Sequence, residues 1–178
     1  MTIELIKRYG AGAVCCASDF SADMLHIASI KQPLKKCGVD FILCKSAQTP
    51  FADGSFNIIT VSFALRNLAL ADDGITNHFR EFHRLLKPGG VLMVLETGQP
   101  ENPLLRKIFH LYVTELITRI GRVVPGSADA YGYLSSSVVS HSNADEVRTM
   151  LEEAGFSEVA MKKMTFGAVC AHYAVKMI

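Results

Sequence analysis

The chain has 178 residues, 49% of them hydrophobic and 20% charged, which is enough apolar surface for a single domain with an ordinary core. With 18 basic and 17 acidic side chains the net charge is +1, so the chain lacks the basic field that nucleic-acid binding needs. It also lacks the charge excess of a disordered chain.

The first eight residues, through Arg8, are too short and too charged for a signal peptide. No apolar run approaches bilayer length, so a soluble, cytoplasmic protein is expected. Ile3, Leu5, Ile6 and Tyr9 recur at helical spacing, and Gly10 and Gly12 close that helix. Residues 13–18 form an apolar run expected to be a buried strand, with Asp19 just past it. Ser21 is placed to cap a helix over 22–32, with Met24, Leu25 and Ala28 facing inward.

Residues 40–45 read as a second strand and 56–63 as a third, rich in β-branched residues. Asp72 and Asp73 open a helix with Ile75, Phe79, Phe82, Leu85 and Leu86 on one side. Lys87-Pro88-Gly89-Gly90 reads as its stop and turn, before a fourth strand over 91–95 that ends in Glu96. Residues 103–124 carry a broad apolar helical face that includes Leu105, Ile108, Phe109, Tyr112 and Leu116, rimmed by Arg106, Lys107, Arg119 and Arg122. A Ser-rich stretch follows, then a helix over 145–154 ended by Gly155, and two closing strands near 158–164 and 169–177. Strands alternating with helices predict one α/β domain over 1–178 with a mostly parallel sheet.

The five cysteines (Cys15, Cys16, Cys37, Cys44 and Cys170) form no CxxC pair and no zinc spacing, so they read as reduced, packed thiols. Ligands of parallel α/β sheets bind past the carboxyl ends of the strands. Asp19 stands there, where a carboxylate can accept hydrogen bonds from both hydroxyls of a ribose. It can equally serve to start the following helix. Arg66, past the third strand, faces the expected ligand place or else makes a surface ion pair.

Several strings resemble a family. Residues 19–25 (Asp19 to Leu25), then Pro50-Phe51 with Asp53 and Ser55-Phe56, then Leu85 with Lys87-Pro88-Gly89-Gly90, resemble class I S-adenosylmethionine methyltransferases. Residues 62–67 (Ser62 to Asn67), Leu95-Glu96, Pro100, Asn102 to Leu105, Tyr131, Tyr133-Leu134 and Ser137 narrow the likeness. Together they are similar to the ubiquinone/menaquinone biosynthesis C-methyltransferases, the UbiE family, over nearly the whole chain.

The resemblance implies a Rossmann-like sheet whose last strand runs antiparallel, S-adenosylmethionine as cofactor and a lipophilic quinol as substrate. It implies cofactor contacts at Asp19, at Lys45 or Ser46, and at Ser62. It assigns stabilisation of a phenolate to Arg66, with His141 and Tyr133 as weaker catalytic candidates. The family's central strand and glycine-rich loop have no counterpart ahead of Thr2, so a gap in the sheet is expected, and with it weak cofactor binding. Lys45 aligns where the family places an acid or Asn, and an ammonium cannot accept the hydrogen bond of adenine's amino group.

Three further expectations accompany this reading. Asp19 should face a crevice within reach of Ser62 and the Ser46 loop. The helix over 103–124 is either a lid on the core or a basic-rimmed face resting peripherally on the inner membrane surface. A second copy of the chain remains a candidate partner. The rival readings are a degenerate methyltransferase fold that binds a partner without catalysis, an inactive fragment of a longer enzyme, and a nicotinamide-dependent oxidoreductase. The last lacks any GxGxxG and gives the Pro50-Phe51/Ser55-Phe56 string no role.

Overall fold

The computed structural model describes residues 2–9, 13–31, 38–70, 74–100, 102–112 and 144–177. In chain order these form α1 (Thr2–Tyr9), β1 (Cys15–Asp19), α2 (Ala22–Ile30), β2 (Val39–Leu43), β3 (Phe56–Ser62), α3 (Leu65–Leu70) and α4 (Gly74–Leu85). β4 (Leu86–Thr97), α5 (Pro103–Leu111), α6 (Ala144–Glu153), β5 (Ser157–Met164) and β6 (Val169–Val175) follow. The expected opening of α4 at Asp72 and Asp73 lies outside the described residues, as do Cys37, Tyr131, Tyr133, the Ser-rich stretch with Ser137, His141 and everything expected for 113–124.

The strands make two sheets. β1 pairs with β2 in parallel, and the second sheet has the order β3-β4-β6-β5. β3 runs parallel to β4, whereas β6 is antiparallel to both neighbours, as expected for the last strand. Among the described residues no strand pairs with the second edge of β1 or of β3, so no ladder joins the two sheets.

The core is confined to the larger sheet. Ile75, His78, Phe79, Phe82 and Leu85 recur every three or four residues on α4 and are buried. They close over Leu92 and Val94 of β4 and Ala174 of β6, beside Val147 and Leu151 of α6. No described residue before Leu65 is buried. α2 shows the consequence: Ser21 caps it by accepting the Met24 N–H at 3.3 Å, as expected, yet Met24 is 57% exposed rather than packed inward. Leu25 and Ala28 are half-buried.

Two boundaries differ from expectation for local reasons. Lys87-Pro88-Gly89-Gly90 does not separate helix from strand, because β4 already starts at Leu86, paired with Phe56. The register shifts between Phe56 and Ile58, so the string bulges within the strand. Gly89 takes a φ of 75°, and a Cβ on Gly90 would meet the Lys87 carbonyl oxygen at 2.7 Å. β3 ends at Ser62 rather than Phe63, and a separate short helix, α3, follows it.

Candidate active site

The carboxyl ends of β1, β2, β3 and β4 place Asp19, the loop after Leu43, Ser62 and Glu96. Asp19 is the last residue of β1 rather than the one after it, and it is half-buried. Its Oδ1 accepts the Ser21 N–H at 2.9 Å, and its Oδ2 makes no hydrogen bond among the described residues. The helix-starting and ligand-accepting readings of Asp19 are thus compatible, one oxygen to each. Its backbone carbonyl accepts the Cys44 N–H at 3.1 Å, which holds the following loop beside it.

That loop is fastened to α4. Ser46 Oγ lies 3.0 Å from Nδ1 of buried His78, so this hydroxyl is turned inward. Thr49 donates to Glu81 Oε1 from both its N–H (2.9 Å) and its hydroxyl (2.7 Å). Arg84 joins Glu81 through Nε at 2.8 Å and Nη2 at 2.7 Å, and also bonds Asp53 and the Phe51 carbonyl. The Arg84 guanidinium, then Thr49, hold the Glu81 carboxyl down at about 2 against the opposing effect of burial. Glu81 and Asp53 in turn raise the pKa of Arg84. The Pro50-Phe51/Ser55-Phe56 string is structural here. Phe51 and Phe56 pack edge to face at 4.9 Å, and Ser55 Oγ donates to the Ala52 carbonyl.

Lys45 is exposed, and its ammonium makes no hydrogen bond or ion pair among the described residues. Ser62 is half-buried, and its hydroxyl makes no hydrogen bond among the described residues. Arg66, in the first turn of α3, is half-buried with Nη1 away from solvent. No hydrogen bond among the described residues joins Asp19 to Ser62, which end strands of different sheets. Tyr133 and His141 lie outside the described residues.

Sequence reasoning missed the role of Glu96. It is 4% exposed, accepts the Leu65 N–H at 2.9 Å, and so ties the start of α3 to the end of β4. An acid directly following an apolar strand at its carboxyl end was the available signal. His172 of β6 was also missed. It is buried, its Nδ1 is unpartnered, and burial pushes its pKa down. The four described cysteines are free, as expected, and burial raises each thiol's pKa.

The profile of the ubiE/COQ5 methyltransferase family matches residues 1–176. The chain belongs to the ubiE/COQ5 methyltransferase family. Among curated members of that family, it is 36% identical to the ubiquinone/menaquinone biosynthesis C-methyltransferase UbiE of Shewanella halifaxensis, across 99% of this chain and 69% of that one. It is 33% identical to the demethylmenaquinone methyltransferase of Lactiplantibacillus plantarum, across 98% of this chain and 73% of that one. The fold matches phosphoethanolamine N-methyltransferase 2 of Haemonchus contortus, whose structure holds S-adenosyl-L-methionine. The TM-score there is 0.66 at 14% identity, over 98% of this chain and 46% of the other. That likeness is one of fold, a Rossmann-like α/β sheet.

Proposed function

We propose that the chain transfers a methyl group from S-adenosylmethionine to a ring carbon of a lipophilic hydroquinone. The observation that carries this reading is the family match over 176 residues. Asp19 supports it. Its half-buried carboxylate keeps one oxygen unbonded at the carboxyl end of a parallel strand, which suits a ribose hydroxyl. The adenine end fits less well, since the Ser46 hydroxyl is engaged with His78 and Lys45 brings a cation. Ser62 would line the opposite wall of the crevice.

When bound, the cofactor supplies an electrophilic methyl on a sulfonium. A new carbon–carbon bond forms as the sulfur–methyl bond breaks, the ring carbon then loses its proton, and the sulfur leaves as a neutral thioether. The protein's part is to hold the ring in line and to stabilise the phenolate that makes its carbon nucleophilic. Arg66 takes the phenolate role in this reading, with His141 and Tyr133 as further candidates for moving its proton.

The apolar face of α5 gives the reading its finer form. Asn102 caps this helix by accepting the Leu104 and Leu105 N–H groups, and Leu104, Ile108 and Leu111 are exposed. With Arg106 and Lys107 alongside, that face would rest on a membrane surface where a polyprenyl tail is held. No described helix is long and apolar enough to cross the membrane.

The test is anaerobic incubation with S-adenosylmethionine and 1,4-naphthoquinol, followed by mass spectrometry. The expected product is methylnaphthoquinol, lost in Arg66→Ala. A chain that binds neither compound would contradict this reading.

A further inference from the structure

The turn from β3 into α3 holds a residue in a costly conformation. Phe63 has a φ of 53°, in the left-handed region where a bulky side chain crowds the backbone and glycine does not. The turn is fixed from both sides. The Phe63 N–H donates to the Leu95 carbonyl at 2.8 Å. Two residues on, the Leu65 N–H donates to Glu96 Oε2 at 2.9 Å. Glu96 Oε1 also accepts from the Thr97 N–H at 2.9 Å and the Thr97 hydroxyl at 3.3 Å, so this buried carboxylate is itself anchored. The end of β4 therefore dictates the path of the backbone at Phe63.

The result is an aromatic ring displayed just past the carboxyl end of β3. Phe63 is 53% exposed, and its ring stacks on no other aromatic ring among the described residues. It adjoins Ser62, the last residue of β3, and precedes Arg66 by three positions. Strain held in place by surrounding bonds marks sites that meet ligands, and glycine would serve stability as well.

We propose that Phe63 is a positioning residue whose ring stacks on the planar hydroquinone and sets its carbon beside the crevice. This rests on the methyl-transfer reading. Offset stacking orients a flat, electron-rich ring without a directional polar contact. Adenine, the other planar group, is assigned to the opposite wall, with Asp19 and the loop after β2.

The test titrates wild type, Phe63→Leu, Phe63→Gly and Phe63→Tyr with 1,4-naphthoquinol anaerobically by calorimetry. The same proteins are then titrated with S-adenosylmethionine and melted thermally. Phe63→Leu and Phe63→Gly should weaken naphthoquinol binding roughly tenfold, equivalent to about 1.4 kcal/mol. Phe63→Tyr should keep it, and S-adenosylmethionine affinity should stay within about twofold of wild type throughout. Phe63→Gly should melt no lower than wild type, because it accepts the turn without strain. Unchanged naphthoquinol binding in Phe63→Leu and Phe63→Gly overturns the proposal, as does a loss confined to S-adenosylmethionine. A Phe63→Gly protein that melts lower and binds naphthoquinol normally makes Phe63 a packing residue and also overturns it. If the wild type neither binds nor methylates naphthoquinol, the methyl-transfer reading fails and takes this inference with it. Wild-type methylation with unaffected variants sinks the inference alone.

Discussion

Asp19 divides its two oxygens between the fold and the proposed ligand, and a single substitution can separate them. In Asp19→Asn the amide oxygen can keep the Ser21 N–H, while the amide nitrogen can no longer accept from a ribose hydroxyl. Calorimetry should show S-adenosylmethionine affinity falling by roughly tenfold to a hundredfold, the worth of one charge-assisted hydrogen bond of about 1.5–3 kcal/mol. The melting temperature should stay near that of wild type. An unchanged affinity would remove Asp19 from the site. The position of Asp19 was legible in the sequence because an acid closing an apolar run marks the end of a strand. β1 is nevertheless not the buried strand expected: it begins at Cys15 and none of its residues is buried. The inward turn of Ser46 was not, because its partner His78 lies 32 residues away on another element.

At the scale of elements, α4 does more than cover the sheet. One edge of it, through His78, Glu81 and Arg84, clamps the loop that leads from β2 toward β3. Removing the Glu81 charge in Glu81→Gln leaves Thr49 and Arg84 imperfectly paired, and a urea titration should show a loss of about 1–3 kcal/mol. The pH dependence follows from the direction of the shift. The folded carboxyl is held at about 2, below its ordinary 4.5, so its contribution is fully present above 4.5 and fades as pH falls toward 2. Wild type should therefore lose more of its stability across that window than Glu81→Gln does. Parallel acid profiles for the two proteins would mean that the clamp contributes nothing.

Hydrophobic periodicity made α4 and α6 legible, and β-branched runs made β3 legible. The start of β4 was hidden because Lys87-Pro88-Gly89-Gly90 has the composition of a turn. Only the pairing of Leu86 with Phe56 converts it to a bulge. The short helix α3 escaped notice because its cause, the Glu96 carboxylate under Leu65, comes from a strand far along the chain.

At the scale of the whole molecule the described residues are unevenly packed: the four-stranded sheet carries the core, and β1 and β2 hold no buried residue.

The central claim is that the methyl group ends on a ring carbon, and the most direct measurement follows that methyl. The chain is incubated anaerobically with S-adenosylmethionine carrying a carbon-13 methyl, in large excess, and reduced naphthoquinol; the product is then read by NMR. The account predicts a labelled methyl bonded to an aromatic carbon, appearing in proportion to protein and absent with Arg66→Ala. Label on a phenolic oxygen, or no transfer at cofactor concentrations that saturate the chain, would contradict it.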